Sequence, residues 1–166
     1  AGNHADALKH VTLLATLRHL MAKSTPLTLI DTHAGAGVYR LDDGAARLSG
    51  EAEQGVARLQ VLHQARVSEE NQASEQAQRA QAATKEEANL LWDYLALVAG
   101  FNRNAPPGAP WRVYPGSPFL MHALMTEPGR AAVHDRLKLF ELHPTDSQAL
   151  AAHVAQLEAG RQVSVA

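Results

Sequence analysis

The sequence predicts an α/β fold in which a parallel sheet is covered by helices. Three observations lead there. Apolar, branched segments occur in the order strand, helices, strand, helix, strand along the chain. The first of these segments, "LTLIDTH", breaks into the glycine-rich "AGAG", and in open α/β sheets such turns lie at the ligand-binding carboxyl ends of strands. With 166 residues, 46% of them apolar, the chain can build one real core and hardly two.

"GNHADALKHVTLLATLRHLMAK" reads as an amphipathic helix. Asn3 is a good N-cap, and Asp6 suits the positive helix end. Leu8, Val11 and Ala15, with Leu14, Leu17 and Met21, recur at helical steps, and Ser24-Thr25-Pro26 ends the run. "LTLIDTH" is then expected as a short buried strand. From Glu51 to about Gly100 the chain reads as helical, with Gly100 as its stop. The middle of that stretch, "EENQASEQAQRAQAATKEEAN", is nearly all Ala, Gln and Glu and can bury little, so it is expected as an exposed or partly mobile insertion. "LLWDYLALVAGF" restores an apolar face, and "NRNAPPGAPW" is a loop.

Ser117 is the expected N-cap of the next helix, with Pro118 in its first position. "RLKLFELHP" is the second strand candidate, ended by Pro144. Thr145 and Gln148 predict a capping box for "DSQALAAHVAQLEAG", with Gly160 as the stop. "RQVSVA" is the third strand. Because the chain opens on Ala1 and stops on that strand pattern, it is expected to be a fragment of a longer protein.

Composition narrows the functional classes. There is no cysteine, which removes thiolate metal sites, disulfides and thiol nucleophiles and fits a reducing cytoplasm. Nine histidines are scattered without HExxH-type spacing, so no metal is expected. No run reaches a membrane span, and no signal-peptide pattern opens the chain. A net charge of −2 gives no global nucleic-acid signature. Lys9, Arg18, Lys23, Arg40 and Arg47 could meet phosphates locally, although solvated surface is the commoner role for such residues.

Three segments could converge on a ligand: the turn after strand one, the start of the Ser117 helix and the end of strand two. Gly35 and Gly37 permit a tight turn and close backbone approach. A lone G-x-G is a weak signal, and Arg40 stands where a dinucleotide fingerprint needs its third glycine. Glu141 ends strand two, where it either accepts bonds from both ribose hydroxyls or is a solvated strand-end charge. It lies far beyond the ~20 residues that usually separate such an acid from the glycines, which an insertion would explain. Asp31 opens D-x-H-x-G-x-G, a variant of the D/E-x-G-x-G-x-G turn of class I methyltransferases. It either meets a cationic methionine end or simply holds the turn. His10 shares a helix face with Asp6, and a lone helix histidine is more often a surface or satisfied core residue.

Taken together, "AGNHADALKH", "DTHAGAG", "YPGSP" and "ELHP", in this order, closely resemble the bacterial large-subunit ribosomal RNA methyltransferase J family over almost the whole chain. The resemblance implies S-adenosylmethionine as cofactor and N6 of an adenine (adenine 2030) in 23S rRNA as target, met before ribosome assembly is complete. It implies a class I methyltransferase fold, a Rossmann-like parallel sheet with a helical insertion after strand one. The core would be residues 1–50 and 105–166, and the insertion 51–104. His10, His33, Ser117 and Glu141 are the positions it places at the cofactor, beside Asp31, Gly35 and Gly37 from the turn. A monomer is expected.

Departures matter too. The family's Asp-Pro-Pro-Tyr type turn, which would hold the target amino group and stack on the flipped base, does not occur here. The adenine-contacting acid after strand three would fall just beyond Ala166, and a short RNA-contacting segment before Ala1 is missing. No catalytic residue is therefore expected in this chain, and no methylation by it alone. Two other classes stay open: an NAD(P)-linked oxidoreductase domain, and a catalytically silent module binding RNA or protein.

Overall fold

The computed structural model of the chain describes residues 2–41, 55–72, 85–157 and 159–166. Most of the Ala/Gln/Glu-rich segment, with Glu51 and Arg47, lies outside the described residues. The described elements, in chain order, are helix α1 (His4–Met21), strands β1 (Thr28–Asp31) and β2 (Val38–Arg40), helices α2 (Val56–Gln72) and α3 (Lys85–Phe101), strand β3 (Val113–Pro115), helix α4 (Ser117–Met125), strand β4 (Arg136–Leu139), helix α5 (Pro144–Ala155) and strand β5 (Val163–Val165). The chain divides into two compact units, Ala1–Val11 with Arg40–Val113, and Thr12–Tyr39 with Tyr114–Ala166.

In the first unit, the helix start at Asn3 is a reciprocal cap. Asn3 Oδ1 accepts the Asp6 N–H at 2.9 Å, and Asp6 Oδ2 accepts the Gly2 N–H at 2.9 Å and the Asn3 N–H at 3.4 Å. Three N–H groups at the start of α1 are thus satisfied by one residue pair. Tyr94, Leu95 and Val98 on α3 are fully buried, with Val56 from α2, as the apolar face of "LLWDYLALVAGF" predicts. Gly100 does not stop α3, which continues to Phe101. Asn102 closes it instead, donating to the Val98 and Val113 carbonyls and accepting from the Arg112 and Val113 N–H groups.

The second unit holds a three-stranded parallel sheet in the order β1-β4-β5. Its register aligns Leu29 with Leu137 and Val163, and Ile30 with Lys138 and Ser164. Leu137 and Leu139 are buried while Lys138 is exposed, so the inward positions obey the period of two. Helix α4 packs on β1 and β4, and α5 on β5. Leu120, Leu124 and Met125 of α4 and Leu150 of α5 complete this core.

Several expectations change. β1 is not buried: it lies at the edge of the three-stranded sheet, and Ile30 is 59% exposed. On α1, Leu14 and Leu17 are buried but Leu8 is exposed, so only one of the two apolar stripes faces a core. Pro144 does not end a strand; β4 stops at Leu139, and Pro144 opens α5. The Thr145/Gln148 box does not form, because a proline at the first helical turn moves the N-cap back to His143, which makes no side-chain cap bond. Gly160, at φ +56°, lies beyond the end of α5 at Ala155. Strands β2 and β3 form a separate two-stranded sheet that the sequence pattern does not disclose.

One buried ion pair organises the amino ends of β1 and β4. Arg130 directs Nε and Nη2 at the two Asp135 oxygens, both at 2.7 Å. Its remaining N–H groups reach the carbonyls of Met21, Lys23 and Thr25. All five guanidinium donors are thereby used. Asp135 Oδ1 also accepts the Leu27 N–H at 2.7 Å, which joins the start of β1 to the pair. Burial pushes the Asp135 carboxyl up, but the bonds from Arg130 and Leu27 and the Arg130 charge outweigh it and hold it below the usual carboxylate range.

Candidate functional site

The second unit brings six of the seven sequence-predicted positions to the carboxyl ends of β1 and β4. Backbone bonds lace the two strand ends together: Phe140 N–H to Asp31 O at 2.8 Å, and Ala34 N–H to Phe140 O at 3.1 Å. The strands being parallel neighbours, both emerge on the same side, where the turn 31–37 meets Glu141.

Two carboxylates shape that turn. Asp31 accepts the His33 N–H on Oδ1 at 3.0 Å and the Ser117 hydroxyl on Oδ2 at 2.6 Å. Glu141 accepts the Gly35 N–H on Oε2 and the His143 N–H on Oε1, both at 2.8 Å. The His143 and Gly35 N–H groups hold the Glu141 carboxyl below its usual range against a smaller opposing effect of burial, with the Leu142 N–H adding to them. A carboxylate offers about four lone-pair sites, so beside these three N–H groups Glu141 keeps acceptor capacity for one further donor.

Gly35 and Gly37 sit at φ +59° and +78°, the left-handed region that glycine occupies freely. Their spaces differ from the sequence expectation of a ligand-facing gap. A Cβ on Gly35 would run into the Tyr39 hydroxyl, and one on Gly37 would come within 2.8 Å of both Phe119 and Leu150. The fold's own packing therefore requires glycine at both positions.

Ser117 is not the N-cap. Gly116 is, without a side-chain cap bond, and Ser117 is the first helical residue, its hydroxyl turned to Asp31. Of the N–H groups that a helix start leaves over, that of Gly116 goes to Gly37 O at 2.8 Å and that of Phe119 to Gly116 O at 3.1 Å. Pro118 has none. What this start offers an anion is at most the Ser117 N–H.

His33 is exposed, its Nδ1 2.9 Å from the Thr32 hydroxyl. His10 belongs to the first unit, where its ring meets Tyr94 at 6.1 Å between centroids. Arg18, considered above for phosphate, makes a two-pronged ion pair with Glu127. Sequence reasoning missed His153, whose Nδ1 lies 2.8 Å from the Ala36 carbonyl, as well as Tyr39 and Phe119 behind the glycines. No spacing rule links His153 or Phe119 to a turn so distant in the sequence.

The arrangement is a rigid rim of acceptors and backbone groups at two adjacent strand ends, suited to binding a polar ligand. Among the described residues, no group of three or more His, Asp and Glu side chains could hold a metal ion. No helix among them is long and apolar enough to cross a membrane.

Comparisons with known proteins bear on what this rim serves. A family model described as "Ribosomal RNA large subunit methyltransferase D, RlmJ" matches residues 24–73, a span containing β1 and the glycine turn. The ribosomal RNA large subunit methyltransferase J of Escherichia coli K12 is 35% identical over 146 residues, 88% of this chain. Over most of its length the chain is similar to members of the ribosomal RNA large subunit methyltransferase J family. The Haemophilus influenzae member is 31% identical over the same share. The chain spans 41% of the length of each of these two relatives. A crystal structure of protein LPL1258 from Legionella pneumophila, of the family DUF519, superposes with a TM-score of 0.63 at 28% identity, covering 99% of this chain and 48% of that one. The fold is consistent with a class I methyltransferase.

Proposed function

We propose that this chain forms the S-adenosylmethionine-binding part of an RNA methyltransferase that modifies N6 of an adenine, adenine 2030, in 23S ribosomal RNA. The observation that carries the reading is the pairing of Asp31 and Glu141 at the ends of adjacent parallel strands, each bonded to the backbone of one glycine turn. The names of the curated relatives support the reaction class.

The residues present fit such a cofactor. Glu141, whose pKa the neighbouring N–H groups lower further below neutral pH, would accept a ribose hydroxyl with its remaining acceptor capacity. The Ser117 N–H at the start of α4 would meet the methionine carboxylate. Asp31, while fixing His33 and Ser117, would face the cationic end of the same moiety. Exposed His33 would add hydrogen bonds without a fixed charge, and Gly35 and Gly37 would keep the turn narrow. When bound, the sulfonium supplies an activated methyl group. The protein's share is then to bind and orient.

The sequence contains no Asp-Pro-Pro-Tyr type turn, so no catalytic residue is assigned here. We also propose the division into a cofactor core, 1–50 and 105–166, with 51–104 as an insertion. Calorimetric titration with S-adenosylhomocysteine and with NAD tests the class of ligand. Heat with the first and none with the second is expected; binding to NAD alone would replace this reading by an oxidoreductase domain.

A further inference from the structure

At Gly35 and Ala36 the glycine turn is held by two side chains, and only one of them is a carboxylate. Gly35 gives its N–H to Glu141. One residue on, the Ala36 carbonyl lies 2.8 Å from His153 Nδ1. A carbonyl can only accept, so Nδ1 must carry the proton, whether the ring is the neutral Nδ1–H tautomer or the imidazolium. The histidine therefore donates to the turn in either protonation state.

Local sterics alone leave this peptide group loose. Ala36 stands between two glycines at positive φ, and glycine restricts its neighbours' backbone least of all residues. His153 in turn is held: its ring meets Phe119 edge-on, with centroids 6.2 Å apart and planes at 86°. Phe119 and Leu150 are the side chains against which Gly37 packs. α5 thus contributes both an apolar wall, through Leu150, and a directed donor, through His153, one turn of helix apart.

We propose that His153 is a positioning residue for the cofactor turn, fixing the Ala36 peptide so that Gly35 and Gly37 keep the shape in which the turn meets its ligand. The consequence for binding rests on the S-adenosylmethionine reading above; the hold on the turn does not. His153 touches the turn and acts through it.

The test measures amide hydrogen exchange without ligand, and S-adenosylhomocysteine affinity, in the wild type, His153→Ala and His153→Asn. An asparagine amide nitrogen takes the place of Nδ1. His153→Ala should speed exchange at Ala36 and Gly37 about tenfold, leave Leu137 and Leu139 in β4 at wild-type protection, and weaken S-adenosylhomocysteine about tenfold. His153→Asn should restore both. Unchanged exchange in the turn of His153→Ala, a uniform loss of protection that includes β4, or no rescue by asparagine would overturn the proposal. If no variant and no wild type binds S-adenosylhomocysteine while the exchange pattern holds, the hold on the turn stands and the cofactor reading falls.

Discussion

Replacing Asp135 by alanine removes the anion from a buried, heavily bonded ion pair. Arg130 is 6% exposed and Asp135 1%, so the guanidinium would remain buried without its counter-charge. Breaking a buried pair from one side costs about 3–5 kcal/mol. Two features locate this pair within that range. The carbonyls of Met21, Lys23 and Thr25 still accept from Arg130, which keeps the loss from the upper end. The Leu27 N–H loses its acceptor, which keeps it from the lower end. A loss of about 4 kcal/mol is expected in urea unfolding by linear extrapolation. The double replacement Arg130→Met with Asp135→Leu leaves no orphaned charge and should recover much of it. A loss below about 1 kcal/mol in Asp135→Ala would refute the reasoning, since it would mean that the guanidinium finds water or another anion.

Acidification should act through the same carboxylate. The folded state holds Asp135 below its ordinary pKa, so the unfolded chain binds its proton first as pH falls. Its stabilisation is full above the ordinary carboxylate range and is lost as pH drops through the lowered folded value; urea midpoints across acid pH should show a shallower dependence in Asp135→Asn. Gly37→Ala should cost about 2–4 kcal/mol, from positive φ together with overpacking against Phe119 and Leu150. Gly108→Ala has a similar φ of +77° but open space around its Cβ, so it should cost only about 1–2 kcal/mol; equal losses would contradict the packing argument. Ser117→Ala removes a charge-assisted bond to Asp31 and should lower stability by about 1–2 kcal/mol, read as a fall in Tm.

Much of this fold is legible in the residues themselves. Asn3 and Asp6 announce the start of α1, and the alternation in "RLKL" gives β4 its buried face. What the sequence could not supply is neighbourhood. β1 has the composition of a buried strand, yet exposure depends on strand order, which no single segment encodes. β2 and β3 are three residues each, too short for periodicity to register. The errors at helix starts share one cause: proline. Pro118 falls at the second helical position and Pro144 at the first, and the caps lie at Gly116 and His143, one and two residues ahead of the expected Ser117 and Thr145. At the site, Asp31, Gly35 and Glu141 could be singled out because strand ends and a family's motifs mark them. Ser117 could be singled out too, but for a cap it does not form. His153 carried no local mark, because its partner is a backbone carbonyl in a distant turn.

The account's central claim is that Glu141, at the end of β4, is the acceptor through which this chain recognises a ribose. Titration of S-adenosylhomocysteine into the wild type and Glu141→Ala tests it most directly, with far-UV circular dichroism confirming that both are folded. The account predicts affinity lower by about ten- to hundredfold in the variant. Equal affinity in the two proteins would contradict it and return Glu141 to the role of a strand-end charge that only holds the turn.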